Sequence, residues 1–452
     1  MRFFLTGALI FLQNVYILET ADERRMNMLL QFNFKNYLSF RDDTTLDLTA
    51  TNITEHPAHV VTIGKEKVLP LAAIYGANAS GKSNVLEAFH YMTTYVVNSF
   101  AFGGDNAKDK SSGQLSFLPP TPFLFDTASK EAESSFEVYF ITSEQNDCKS
   151  YHYGFTIGAD GVHEEWLNSK AKNSSKYKKI FYRNGNSLDL SGLPAVGRGM
   201  ISIALEPEAL IVSLGAKLKI GELKLIRDWF YDNELADFGN PSENLTLSTQ
   251  VPKEFVTDRD FQRRVAAYFS SFDPSIRDFQ ISQIEEAEDD GSGRVGRARI
   301  DAVHQMVDSD ETALLPMTVE SAGTLKMFAL YPLLESVLQH GSVLFVDELN
   351  ARLHPLLLRT ILIMFLDPKS NPNHAQLLFT THDPWHLSLL RRDEVWFTEK
   401  NEQGISTLYS LVDFEDENGA KIRKDENYSK NYLLGKYGGI PAVYNLDILG
   451  GE

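Results

Sequence analysis

Val68-Leu69-Pro70-Leu71-Ala72-Ala73-Ile74-Tyr75, then Gly76-Ala77-Asn78-Ala79-Ser80-Gly81-Lys82-Ser83, then Asn84-Val85-Leu86-Glu87-Ala88-Phe89 are the consecutive stretches on which the fold turns. The first is a short apolar run, as in a buried parallel strand. The last opens an apolar-periodic helix. Between them stands the GxxxxGK[ST] pattern in the strand–loop–helix context it requires. Gly76 and Gly81 let backbone N–H groups, Asn78, Ser80 and Asn84 among their neighbours, curl around phosphate oxygens. The helix N-terminus adds its positive dipole end. Lys82 can reach β- and γ-phosphates, and the Ser83 hydroxyl can ligate magnesium. By chance the pattern arises in roughly one or two of a hundred chains this long, and its context lowers that further.

A second apolar strand, Gly341-Ser342-Val343-Leu344-Phe345-Val346, ends in Asp347-Glu348. Asp347 is placed to hold magnesium, and Glu348 to take a proton from an attacking water. A third, Gln376-Leu377-Leu378-Phe379-Thr380-Thr381, ends in His382 at the edge where open α/β sheets bind ligands. A lone histidine is usually structural, but three strand ends carrying phosphate-handling residues favour His382 as a γ-phosphate contact. Ser321-Ala322-Gly323 before an apolar helix, Met327 to Leu338, supplies a hydroxyl and a helix dipole. Alone it would be an N-cap; its position before the Asp-Glu strand points to a second anion contact.

The chain has 452 residues, 43 Lys+Arg against 61 Asp+Glu for a net charge of −18, and 43% hydrophobic content. Disorder is excluded, and the acidic balance argues against a protein that coats nucleic acid through bulk charge while leaving room for a local basic groove. The single cysteine, Cys148, excludes a disulfide framework and fits a cytoplasmic location. The apolar run near Met1 to Leu18 is too short to span a membrane. Met26 and Met28 stand before a well-formed strand, so residues 1–27 read as a non-native or flexible extension, with no membrane role.

In order, a phosphate loop, Ser-x-Gly signature, Asp-Glu Walker B, D-loop and switch histidine resemble the ABC-type ATPase head shared by structural-maintenance, RecF-like and overcoming-lysogenization-defect proteins. A narrower resemblance is to AAA-family ATPases of bacterial anti-phage abortive-infection systems, of the RloA or AbiL first-component kind. It is carried by Phe34 to Phe40, Tyr75 to Asn84, Glu320 to Lys326, Asp347 to Pro355, Arg391 to Phe397 and Asn431 to Pro441. The resemblance implies an α/β P-loop NTPase of ABC-head type with an antiparallel β-subdomain and an inserted helical lid. It implies slow hydrolysis of ATP with Mg2+, and a homodimer or higher even oligomer with composite sites. There one subunit's loop faces Ser321 and Gly323 of the other, with Arg352 and His354 in the D-loop. No Q-loop glutamine is evident: Gln114 is the sole candidate, in Gly/Ser-rich surroundings. Tyr37 to Arg41 is the expected neighbourhood of the adenine.

The long stretch between Lys82 and Asp347 lacks the heptads of a coiled-coil arm. Ser135 to Ile141 and Tyr151 to Ile157 read as antiparallel strands of a second sheet, and Glu222 to Asp232 and Arg259 to Ser270 as helices. The expected divisions are 28–200 (first part of the head), 201–310 (helical lid) and 311–452 (second part). Lys170, Lys172, Lys176, Lys178, Lys179 and Arg183 are either a nucleic-acid or acidic-partner contact or, more simply, a solvated hairpin tip. Glu285 to Asp290 read as a mobile acidic loop.

Two functions of different class follow. One is a defence switch or sensor that controls a separate effector, a nuclease or toxin from a neighbouring gene, in response to a phage component or nucleic acid. The tail after Val395 reads as too short for an added nuclease domain. The other is a RecF-like repair or recombination ATPase that clamps DNA as an ATP-bound dimer. A transporter subunit is disfavoured, since the signature lacks the Leu-Ser-Gly-Gly-Gln form.

Overall fold

The computed structural model describes residues 27–102, 117–144, 147–172, 174–240, 255, 257–270, 272–284, 298–415, 419, 421–423 and 426–440. Residues 1–26 of the expected extension, Gln114 and the acidic loop at Glu285 to Asp290 lie outside the described residues, whereas Asn27 is buried at the start of the strand Asn27–Lys35.

Leu71–Gly76 lies in the middle of a six-stranded sheet of order Glu234–Asp237, Val343–Asp347, Gln376–Thr381, Leu71–Gly76, Val395–Lys400, Ser406–Ser410. The first five strands are parallel and the last is antiparallel. Parallel strands covered on both faces are apolar at every position; Leu71–Gly76 and Gln376–Thr381 are buried throughout. Alternation sorts their side chains between two cores. Leu71, Ala73 and Tyr75 enter one, with the signature helix Ala322–His340 and the helix Pro355–Leu366. Ala72 and Ile74 enter the other, with the phosphate-loop helix Lys82–Asn98.

That second core is closed by a seven-stranded antiparallel sheet of order Ser187–Asp189, Lys178–Asn184, Gly161–Ala171, Asp147–Gly158, Ser134–Glu144, Asn27–Lys35, Thr44–Asp47. The strands expected at Ser135 to Ile141 and Tyr151 to Ile157 pair here. The basic stretch spans the turn between Gly161–Ala171 and Lys178–Asn184. Much of its charge is engaged within the fold. Lys170 pairs with Glu66, Lys179 with Asp189, and buried Arg183 donates to the carbonyls of Ala209, Pro207 and Gly185.

The stretch 201–310 holds strands as well as helices. Ile211–Lys217 and Gly221–Tyr231 are helices, but they belong to the head: Trp229 and Phe230 stack against Phe140 and Phe89 in the second core. Glu234–Asp237 is a strand of the central sheet. After the helix Arg259–Ser270, the strands Ile276–Ile284 and Ala298–Gln305 form an antiparallel sheet that Thr312–Pro316 completes. A four-residue strand is too short to display a period. In the longer pair, alternation such as Arg299-Ile300-Asp301-Ala302 is a strand signal that the neighbouring acidic run obscured. No helix among the described residues is long and apolar enough to cross a membrane.

Candidate functional site

The phosphate loop turns sharply because two of its residues cannot carry a side chain. A Cβ on Gly76 would lie 2.4 Å from Thr398 Oγ1 and 2.5 Å from Ser80 Oγ. Gly81, at φ 114°, sits against Ser406 and the Phe40 ring. The loop is braced from behind by hydroxyls: Ser80 Oγ and Thr398 Oγ1 are 2.6 Å apart, and Ser406 Oγ bonds Ser39 Oγ and the Ser80 carbonyl, each at 2.7 Å. Asn84 Nδ2 donates to Ser39 Oγ at 2.7 Å, so the Tyr37–Arg41 segment flanks the loop. Asn78 and Ser83 stay exposed at its mouth. The loop opens the helix Lys82–Asn98, whose first-turn N–H groups have no intrahelical acceptor.

Lys82 is 7% exposed, and its Nζ donates to the carbonyls of Gly76 and Ala77, each at 2.9 Å. Burial pulls its pKa down to about 8, against the opposing pull of Asp347 and Glu348. Ser83 Oγ donates to Asp347 Oδ2 at 2.6 Å, which brings together the two groups expected to hold magnesium. Thr380 Oγ1 donates to Asp347 Oδ1 and accepts the Glu348 N–H at 2.8 Å. Glu348 takes a left-handed backbone, φ 49°, as do Ala79 at 62° and Arg352 at 61°. Such strain in non-glycine residues gathers where function demands it. His382 Nδ1 lies 3.1 Å from the Gly76 carbonyl, and burial and then Lys82 hold its pKa below the ordinary histidine value.

A carboxylate, a hydroxyl and open space for phosphate and water form the donor set that suits Mg2+, which is seldom held by an all-protein cage. No cluster of three or more His, Cys, Asp or Glu suited to a metal occurs among the described residues.

The signature turn is not part of this convergence within one chain. Ser321 caps the helix Ala322–His340, accepting the Thr324 N–H at 3.1 Å. Ser321 and Ala322 are exposed, and Gly323 packs toward the Arg352 carbonyl. Several neighbours went unnoticed in the sequence. Thr380, Thr398 and Ser406 are commonplace residues on strands. Asp237 ends the strand beside Walker B, paired across the ladder with Asp347. Burial, Asp347 and Glu348 raise its pKa. A carboxylate at an apolar strand end was the only signal available for it. Lys326 belongs to a quoted motif, but nothing in the spacing assigned it a role. A cavity of about 430 Å³ is lined by Glu399, Tyr409, Asp413 and Lys436 and by no phosphate-loop residue.

These elements define a P-loop nucleotide-binding domain of the AAA class. Residues 71–385 match the family described as AAA domain, putative AbiEii toxin, Type IV TA system, and the chain belongs to that family. A search of curated proteins returns no match.

Proposed function

We propose that this chain is an ATP-hydrolysing switch of bacterial anti-phage defence, working as a head-to-head dimer whose nucleotide state controls a separate effector. The observation that carries the reading is the meeting of Lys82, Ser83, Asp347, Glu348 and His382 around one loop, while Ser321 and Ala322 stand exposed elsewhere. The family description, which names a type IV toxin–antitoxin system, supports the defence setting.

In this reading Lys82 leaves the Gly76 and Ala77 carbonyls for the β- and γ-phosphates, and the first helical turn receives the remaining phosphate charge. Gly76, Asn78, Ser80, Gly81 and Asn84 shape the cradle. Ser83 and Asp347 hold Mg2+, which when bound neutralises charge on the phosphates. Water attacks the γ-phosphorus, the bond to the bridging oxygen breaks, and Glu348 accepts the proton released by the water. His382 starts neutral; the arriving phosphate favours its charged form, which lets it report the γ-phosphate. Ser321 and Gly323 complete the site of the second subunit. The DNA-clamp reading draws less support, because Lys170, Lys179 and Arg183 are spent on contacts within the fold.

The test uses Lys82→Ala and Glu348→Gln. Lys82→Ala should abolish nucleotide binding. Glu348→Gln should still bind ATP yet turn over at least about 100-fold more slowly. Both should abolish phage protection in cells that carry the effector. Normal turnover in Glu348→Gln removes the base, and normal protection in both removes the switch.

A further inference from the structure

Lys326 lies in the second turn of the signature helix and is 4% exposed. Its Nζ donates to the carbonyls of Glu348 at 2.8 Å, Leu349 at 2.9 Å and Ala351 at 2.9 Å. Three acceptors use all three N–H groups of an ammonium. The Phe238 ring, just past the strand beside Walker B, lies 4.4 Å from the same nitrogen. Among the described residues no carboxylate forms an ion pair with it. Holding a cation by carbonyl dipoles and one ring is an expensive way to fill a core, where an apolar side chain would serve stability as well.

The bonds do something an apolar chain could not. Residues 348–352 leave the Walker B strand through a turn with left-handed positions at Glu348 and Arg352, in which the carbonyls of Glu348, Leu349 and Ala351 face one point. The ammonium occupies that point and sets the backbone from which the Glu348 side chain projects. The same parts also approach closely at a second point, where a Cβ on Gly323 would lie 3.0 Å from the Arg352 carbonyl. The signature helix and the loop bearing Glu348 are thereby joined through Lys326.

We propose that Lys326 is a positioning residue that couples the signature turn to the placement of Glu348. The inference rests on the dimeric ATPase reading above. A phosphate received by Ser321 and Gly323 from the partner's site moves the helix start. Lys326 passes that movement to the Glu348 of its own chain. Each site thus sets the base of the other.

The test compares the full chain with its Lys326→Met and Lys326→Arg variants. Lys326→Met is expected to bind a non-hydrolysable ATP analogue within about threefold of the parent while its kcat falls about 100-fold. The dependence of rate on ATP should also lose its cooperativity. In the nucleotide-free protein, the amides of Leu349, Ala351 and Leu353, bonded to Thr380, Glu348 and Asn350, should exchange faster. Lys326→Arg keeps the charge but spreads its donors over a plane, so it should fold and recover part of kcat at unchanged affinity. If Lys326→Met does not fold, Lys326→Arg decides on the same split. A kcat within about threefold of the parent, or equal losses of affinity and kcat, overturns the proposal. If the parent hydrolyses no ATP, the ATPase reading falls. The exchange measurement needs no nucleotide and still decides whether Lys326 holds the loop: unchanged exchange overturns it.

Discussion

The Lys82 ammonium is held by two loop carbonyls before any phosphate arrives, in a place that draws its pKa down to about 8. Phosphate favours the charged amine, so the nucleotide-bound state keeps a proton that the empty site releases above that value. Affinity for an ATP analogue should therefore be level below about 8 and fall above it. The limit is about tenfold per pH unit, with proton uptake on binding. Calorimetric titrations from about pH 7 to about 9.5 in two buffers measure both. Affinity unchanged across that range would show that Lys82 does not meet the phosphates as an ammonium. The empty chain should respond in the opposite sense. Because the folded pKa lies below the unfolded value of 10.5, this group's contribution to stability rises with pH between about 8 and 10.5. In the empty chain His382, held below its ordinary value, adds no opposing change between about 8 and 10.5.

Between elements, the joints depend on buried polar groups with complete partners. The strand Asn27–Lys35 carries a bulge between Leu29 and Gln31, which leaves the Leu29 peptide groups in need of bonds. Gln376, fully buried at the start of its strand, supplies them. Its Oε1 accepts the Leu29 N–H at 2.6 Å, and its Nε2 donates to the Leu29 and Leu69 carbonyls at 3.0 and 2.9 Å. One amide thus sews the antiparallel sheet to the central one. Gln376→Leu fills the same space but strands three buried backbone groups, and should lower stability by about 3 kcal/mol. Urea unfolding with an unchanged slope measures this, and a loss under about 1 kcal/mol would mean that water or relaxation replaces the amide. A similar joint precedes Val395–Lys400. There buried Arg391 pairs with Asp393 at 2.9 Å and donates to the Glu55 carbonyl, while Glu394 meets His59 at 3.0 Å. The Arg391 to Phe397 stretch is in this way tied to the segment that crosses beside it.

At the scale of the whole molecule, the central sheet divides two cores and directs the ends of its parallel strands to one edge. The phosphate loop, Asp347 and His382 gather there, and the signature turn remains unengaged. On the dimer reading, that geometry makes association depend on nucleotide. Glu348→Gln with ATP and Mg2+ should sediment as a dimer, whereas the same protein with ADP, and Lys82→Ala with either, should not. A stoichiometry indifferent to nucleotide would sink the composite site. The stabilisation of the closed form by bound ATP is what an effector could read.

The sequence by itself determined the phosphate loop, the Asp-Glu strand end, the His382 strand and the antiparallel strands at Ser135 to Ile141 and Tyr151 to Ile157. Each is written in consecutive residues, where a glycine pattern or an apolar period is enough to identify it. Tertiary structure alone decided the rest. Glu234–Asp237 joins the sheet beside Walker B because a partner strand more than a hundred positions later completes its ladder. Gln376, Thr380 and Lys326 acquire their tasks from carbonyls and carboxylates that other segments bring to them. A buried polar group is specified by whichever partner satisfies it, and across such sequence distances no spacing rule identifies that partner.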